Sequence, residues 1–447
     1  MDGSRSRGRF EFLNQSLKKI SVRLIRAGSV KQKEDLMWMN ALDRMLRSML
    51  LQGSILVVMP NGERRQYGDG SGVPVTIRLH DPATVRHLVL NPDLALGESY
   101  MNGSMTIDDD DLQGFLALVV QNVNAAPRVL WQKPLLKLRS ALRRSAQKNL
   151  VSRARRNVAH HYDLSGRLYD QFLDADRQYS CAYFLDPTDT LEQAQAQKKD
   201  HIARKLMIEP GMRVLDIGCG WGGMAISLAQ DHGAHVLGIT LSEEQHAKAS
   251  ERAKNKGLAD QVEFRLCDYR EVEGTFDRIV SVGMFEHVGL PHYGTFFDTV
   301  RNRLSPDGVA LVHTIGWVGR PNATNPFIEK HIFPGGYIPT LSEAAAAIQT
   351  SGLWPADIEC LRLHYAYTLR HWFDRFTSNR RKVSDLYDER FVRMWRFYLA
   401  ACEQTFRHGP QAVFQFQLSP KIDSVPLTRG YLYQPSSQEN LTRTAAE

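Results

Sequence analysis

From about residue 200 the chain alternates short apolar runs with amphipathic stretches. Val214–Ile217, His235–Ile239, Val262–Cys267, Arg278–Val282 and Val309–His313 read as buried strands, with helices over Gly222–Gln230 and Ser242–Asn255. Regular alternation of this kind predicts a parallel sheet with helices on both faces. Nearer the start, Leu36, Met39, Leu42, Leu46, Met49 and Leu50 recur at helical spacing. Ser54–Met59 and Val75–Leu79 follow as strands, separated by the turn-forming Pro60-Asn61-Gly62 and Gly68-Asp69-Gly70-Ser71-Gly72. Asp81-Pro82 then opens a helix, with Asp81 as cap and Pro82 at the first position. Residues 35–125 thus form a small N-terminal α+β domain.

Composition fits this division. The 447 residues exceed one ordinary core, and 43% hydrophobic with 23% charged residues indicates a soluble globular protein. The formal net charge of +7 is read in two ways, as attraction to an anionic partner or as plain solubility. Basic residues concentrate in a segment over 1–34 and in 126–157, where Leu135, Leu136, Leu138 and Leu142 are interleaved with Lys137, Arg139, Arg143 and Arg144. That linker suits either an anionic membrane surface or a solvated helix between domains. Phe115–Val120 is an apolar run far too short to span a bilayer, and no signal peptide is visible, so membrane contact is expected to be peripheral. Cys181, Cys219, Cys267, Cys360 and Cys402 are odd in number and lack ligand spacing, which argues against a disulfide framework or a metal site and favours a reducing cytoplasm.

The sharpest local motif is Asp216-Ile217-Gly218-Cys219-Gly220-Trp221-Gly222-Gly223, a strand running into a glycine turn and then a helix. Gly218, Gly220 and Gly223 satisfy a spacing shared by many nucleotide-binding folds. A nicotinamide-binding domain wants an acid at the end of the second strand, but Thr240-Leu241-Ser242 stands there, with Gln245 placed to complete a capping box with Ser242. Asp268, with Tyr269 and Arg270, ends the third strand, where class I methyltransferases hold the adenine amino group. The co-substrate read from this pattern is S-adenosylmethionine.

Further motifs surround the module: His161-Tyr162-Asp163-Leu164-Ser165, Tyr179-Ser180-Cys181-Ala182-Tyr183-Phe184, Met284-Phe285-Glu286-His287-Val288-Gly289, His313-Thr314-Ile315-Gly316 and Tyr365-Ala366-Tyr367-Thr368-Leu369. In this order they closely resemble the cyclopropane-fatty-acyl-phospholipid synthase family, in the long bacterial form with an N-terminal domain, which is related to the mycolic acid cyclopropane synthases. Leu96-Gly97-Glu98-Ser99-Tyr100-Met101-Asn102-Gly103 extends the resemblance into the first domain.

The resemblance implies a Rossmann-like class I methyltransferase fold, mostly parallel with an antiparallel last strand. It implies a catalytic domain over 158–425, an aromatic acyl-binding cap at about 317–400 and a tail over 426–447. The implied reaction carries a methylene group from S-adenosylmethionine to the cis double bond of unsaturated phospholipid chains, with bound bicarbonate as base. Cys181, Glu286, His313, the backbone of Ile315 and Tyr365 would hold the bicarbonate, and none of these is a fixed cation. Cys402 matches an older assignment of a catalytic cysteine, though a nucleophilic thiolate has no task here and a structural role is preferred. Tyr162, Tyr179 and Ser180 join the cofactor set. A homodimer at the inner face of the membrane, with no nucleic-acid partner, is expected on the same grounds. The rival readings are a methyl- or methylene-branched lipid product and, further off, a small-molecule or RNA methyltransferase. Taken singly, Cys181 reads as a buried small hydrophobe, Glu286 as a solvated loop acid and His313 as a satisfied core histidine.

Overall fold

The computed structural model describes residues 31–125 and 166–433. The basic N-terminal segment, the 126–157 linker, the motif at His161–Ser165 with Tyr162, and residues 434–447 lie outside the described residues. The chain divides into two compact units, at Leu130.

In the first unit a helix over 31–49 buries Met39 and Leu42, as the spacing predicts. Strands β1 (Ile55–Val58), β2 (Arg64–Tyr67), β3 (Val75–Leu79) and β4 (Met105–Ile107) form one sheet in the order β2-β1-β3-β4. β1 pairs parallel with β3 and antiparallel with β2, and β4 is antiparallel to β3. Asp81 caps the helix Pro82–Leu90 by accepting from the Thr84 backbone N–H. The Leu96–Gly103 motif falls on the next helix, Pro92–Asn102, which Gly103 ends in the left-handed conformation at φ 74°.

The second unit is a seven-stranded sheet in the order β10-β11-β9-β8-β5-β6-β7. Its strands are β5 (Arg213–Ile217), β6 (His235–Thr240), β7 (Val262–Leu266), β8 (Phe276–Val282), β9 (Leu304–Trp317), β10 (Trp354–Leu361) and β11 (Gln411–Ser419). β7, β6, β5, β8 and β9 run parallel in that sequence, and β11 enters antiparallel between β9 and β10. This is the class I methyltransferase arrangement with its last strand reversed. One core cluster packs Ile217, Ile239 and Val312 with Phe285, Phe296 and Phe297; the other packs Val214, Val236 and Leu311 with Ile202 and Leu228. Strand order reverses between β5 and β8, so a crevice opens at their carboxyl ends.

Two expected boundaries differ from the structure. The aromatic region is not all cap, because β10 belongs to the sheet and Ala344 and Ile348 of helix Leu341–Ser351 pack into its core. The tail does not begin at 426: Arg429 pairs with Asp357, the Tyr431 hydroxyl donates to Gln417 Oε1 at 3.0 Å, and Leu432 is buried.

The glycine turn after β5 is a steric necessity. Gly222 has φ 81°, and a Cβ there would lie 2.7 Å from Phe264 Cζ and 2.9 Å from Ala249 Cβ. Gly222→Ala combines a left-handed penalty with overpacking and should lower unfolding stability by about 2–4 kcal/mol, read as a shift in urea midpoint.

Candidate functional site

The crevice at the carboxyl ends of β5, β6 and β8 is lined by Tyr179, Ser180, Asp216, Gly218, Cys219, Gly220, Trp221, Gly223, Thr240, Leu241, Gln245, Asp268, Tyr269 and Arg270. All were expected from the sequence. Ser242 is buried beneath the turn and does not line the crevice. The capping box expected there is half formed. The Ser242 hydroxyl accepts from the Gln245 N–H at 3.3 Å, but Gln245 Oε1 turns away to accept from Thr240 Oγ1 at 2.8 Å. The Ser242 N–H donates to Thr240 Oγ1 instead. The Asp268 carboxylate takes two hydrogen bonds from Arg270, each 2.7 Å, and the Arg270 guanidinium lies over the Tyr269 ring.

Two features suit a bound S-adenosylmethionine. A Cβ on Gly220 would meet no protein atom within 4 Å, so the backbone faces open crevice where a ligand can approach. Asp216 is buried, its Oδ2 has no hydrogen-bond partner among the described residues, and burial raises its carboxyl to about 7. Asp216 would meet the positively charged part of the co-substrate. Arg177 and Gln178, outside every motif read from the sequence, also line the crevice, as do Met284 and His287 of the Glu286 motif. So do Pro334 and Gly335 of the His331–Gly336 motif, which reads from the sequence as a substrate-loop element and not as cofactor-binding. The first two directly precede the Tyr179–Cys181 motif, and Met284 and His287 flank Glu286, so adjacency to recognised motifs was the available signal.

Behind the crevice lies a cluster of buried polar groups. The burial that raises the Tyr365 phenol is reinforced by Tyr179, Cys181, Glu286 and Cys402, which places all five groups in one electrostatic neighbourhood. Glu286 follows β8 in a short 3-10 turn and is buried, not the solvated loop acid it resembles in isolation. Its Oε1 accepts from the Ile315 N–H at 2.6 Å, its Oε2 is orphaned, and burial raises its carboxyl to about 7. His313 and Ile315 alternate on β9. Burial, then the neighbouring Lys198 and Lys205, push His313 down to about 3, so the ring is neutral. Gln415 Nε2 donates to its Nδ1 at 3.2 Å, which leaves the ring hydrogen on Nε2. The Cys181 thiol is held protonated by burial and donates to the Ala182 carbonyl at 3.2 Å. Cys402, on the helix Glu389–His408, is pushed up to about 12 by burial alone, which does not suit a thiolate nucleophile.

Two expectations change here. The Ile315 backbone, expected among the bicarbonate ligands, has its N–H engaged by Glu286 Oε1. A fixed cation does stand close by: fully buried Lys198 donates to Ser180 Oγ at 2.8 Å and Gln178 Oε1 at 2.6 Å. A lysine in an amphipathic helix carries no sequence mark of such burial. Among the described residues no His/Cys/Asp/Glu group could hold a metal ion.

The family model described as mycolic acid cyclopropane synthetase matches residues 150–416. The chain belongs to that family. It is therefore an S-adenosylmethionine-dependent methyltransferase. Residues 41–128 match a second model, a domain of unknown function. The chain is 38% identical over 353 residues to the cyclopropane-fatty-acyl-phospholipid synthase of Escherichia coli K12, covering 78% of this chain and 89% of that one. It is 36% identical over 385 residues to a probable fatty acid methyltransferase of Pseudomonas putida, covering 83% and 94%. Among solved structures, the cyclopropane synthase MmaA2 from Mycobacterium tuberculosis matches 59% of this chain and 97% of its own, at 34% identity and TM-score 0.57.

Two predictions come from this family member's site. Gly220→Ala should cost only about 1 kcal/mol of stability, from its left-handed φ of 56°, yet weaken S-adenosylhomocysteine binding at least about tenfold by calorimetry. Glu286 is neutral in both folded and unfolded chains below pH 4.5, its ordinary value, and pays for its burial as pH rises through about 7. Glu286→Gln should therefore match wild type in stability near pH 4.5 and exceed it by roughly 3 kcal/mol above pH 8, measured by urea denaturation across pH. A constant difference across that window would contradict the buried carboxyl.

Proposed function

We propose that this enzyme converts cis double bonds of unsaturated acyl chains in membrane phospholipid to cyclopropanes, with bicarbonate as the base. The observation that carries the reading is the buried group of Glu286, Tyr365 and Cys181, with Glu286 Oε2 unpartnered and His313 two residues before the Ile315 that anchors Glu286. The named activity of the Escherichia coli relative, and that of the mycobacterial synthase, supports it.

An alkene is a weak nucleophile, so its π face must be held against an electrophilic methyl group. S-adenosylmethionine supplies that methyl and bicarbonate the base which takes one of its protons as the ring closes. The chain's own residues do the rest. His313 offers its Nε2 hydrogen and Tyr365 its hydroxyl to an oxyanion. Glu286, anchored by the Ile315 N–H, orients the oxyanion's hydroxyl and raises its basicity. The aromatic residues Phe327, Phe333, Phe397 and Tyr398 pack against one another beyond the crevice: Phe327 lies 5.0 Å from Phe397 and Phe333 5.7 Å from Tyr398. Such walls exclude water and offer π faces to a passing carbocation.

No helix among the described residues is long and apolar enough to cross a membrane. Peripheral attachment at the cytoplasmic face through the basic 126–157 segment, with homodimer formation, completes the proposal. The methyltransferase name of the Pseudomonas putida relative favours a second product, a methyl-branched chain.

The deciding experiment incubates the enzyme with labelled S-adenosylmethionine and vesicles of unsaturated phospholipid. Label in a lipid that has gained CH2 and resists hydrogenation is expected; label in a reducible or branched chain selects the second product, and no label in lipid overturns both. Glu286→Gln should bind S-adenosylhomocysteine normally while losing turnover at least about a hundredfold. Turnover close to wild type would remove Glu286 from the anion site.

A further inference from the structure

The segment Gln178–Cys181 joins the two halves of the site, since Tyr179 and Ser180 line the crevice and Cys181 belongs to the buried cluster. Helix Leu191–Leu206 grips this segment from behind. Gln195 Nε2 donates to the Ser180 carbonyl at 3.0 Å, and Lys198 Nζ donates to the side chains of both Gln178 and Ser180. Gln178 is fixed in turn, its backbone N–H donating to Asp174 Oδ1 at 2.8 Å and its Nε2 to Asp176 Oδ2 at 2.9 Å.

A serine hydroxyl has one hydrogen and two lone pairs. Burial lowers Lys198 to about 8, so at neutral pH it is an ammonium with only hydrogens to give, and Ser180 Oγ accepts from it. Its own hydrogen must then point elsewhere. Among the described residues no acceptor takes it, and Ser180 is one of the residues that line the crevice. A carboxylate in place of Lys198 would turn the hydroxyl round; a lysine fixes it as a donor.

We infer that Lys198 is a positioning residue that makes Ser180 an obligate hydrogen-bond donor into the crevice, for a carboxylate-type oxyanion. This rests on the co-substrate reading above. Two ligands carry that chemistry, the carboxylate of the amino-acid end of S-adenosylmethionine and bicarbonate. The first is favoured because Ser180 lines the crevice itself. The buried charge also lies within electrostatic reach of Asp216, so it attracts an anion while leaving the orphaned Asp216 Oδ2 for the cationic part of the same ligand.

The test compares Lys198→Met with wild type in calorimetric titrations of S-adenosylhomocysteine and of its analogue lacking the carboxylate. In the variant, affinity for the first should fall at least about tenfold while affinity for the second stays within about twofold. Bicarbonate dependence of turnover on phospholipid vesicles forms the second arm. If ligand preference is kept and half-maximal activation needs at least about tenfold more bicarbonate, Ser180 serves the base instead, and the donor role stands. An equal loss for both ligands, or no change in either arm, overturns the inference. Ser180→Ala leaves the buried helix intact and must show the same selective loss, which keeps the test decisive if Lys198→Met fails to fold. The binding arm needs no lipid substrate, so it succeeds or fails independently of the product assignment.

Discussion

Ionisable groups kept from water without a matched partner are the constraint on which the catalytic unit depends. Asp216 lies near the carboxyl end of β5, Glu286 just beyond β8, and His313 within β9 opposite Val282 at the end of β8, and all three are buried. Fully charged, each would carry a desolvation penalty that no neighbour repays. The carboxyls are raised and the imidazole is lowered, so the interior stays nearly uncharged until a ligand arrives. A site of this kind suits the proposed chemistry, because water admitted to it would quench a cation on the acyl chain. The parallel sheet makes the arrangement possible: helices cover both faces, and the crevice opens at the strand ends.

The cations obey the same logic. Lys198 and Lys205 are both buried, yet neither stands in the wall of the anion cluster. Lys205 pairs with Glu359 on β10, which also accepts from His201 at 2.7 Å. Lys198 is turned toward Ser180 and Gln178. Their positive field still reaches His313 and helps to keep it neutral, without placing a fixed charge against a developing carbocation. None of Cys181, Glu286, His313, Ile315 and Tyr365 carries a fixed positive charge, and the buried lysines lie outside that set.

Those lysines mark the limit of what the sequence makes legible. Strands β5, β6, β8 and β9 are readable because strands buried on both faces are largely apolar runs, the edge strand β7 because Val262 and Phe264 alternate with exposed Glu263 and Arg265, and the glycine turn because only glycine tolerates its backbone. β10 reads as Trp-Pro-Ala-Asp-Ile-Glu-Cys-Leu, a half-exposed edge with no clean period. β11 interleaves Gln415 and Gln417 with Phe414 and Phe416, which breaks the apolar run although both glutamines are fully buried. Lys198 looks like any solvated lysine in Leu191–Leu206. Glu286 and His313 were found through motif resemblance, since neither burial nor an orphaned oxygen is written in the local sequence. Arg177 is a non-glycine residue at φ 55°, a conformation that local rules do not anticipate.

The two glutamines explain why the reversed strand matters to a site formed at the ends of its parallel neighbours. Gln415 faces His313 across the β9–β11 ladder and donates to Nδ1. A neutral imidazole has one hydrogen, so this contact sends it to Nε2 and makes the ring a donor on its other side. Gln417, two residues on, donates to the Lys205 carbonyl and accepts from Tyr431, which ties the same strand to helix Leu191–Leu206 and to the last described turn. The chain thus uses one antiparallel strand both to close its sheet and to set the tautomer of its buried histidine. A substitution at Gln415 would therefore act on the reaction through His313, from a residue that touches neither the crevice nor the oxyanion.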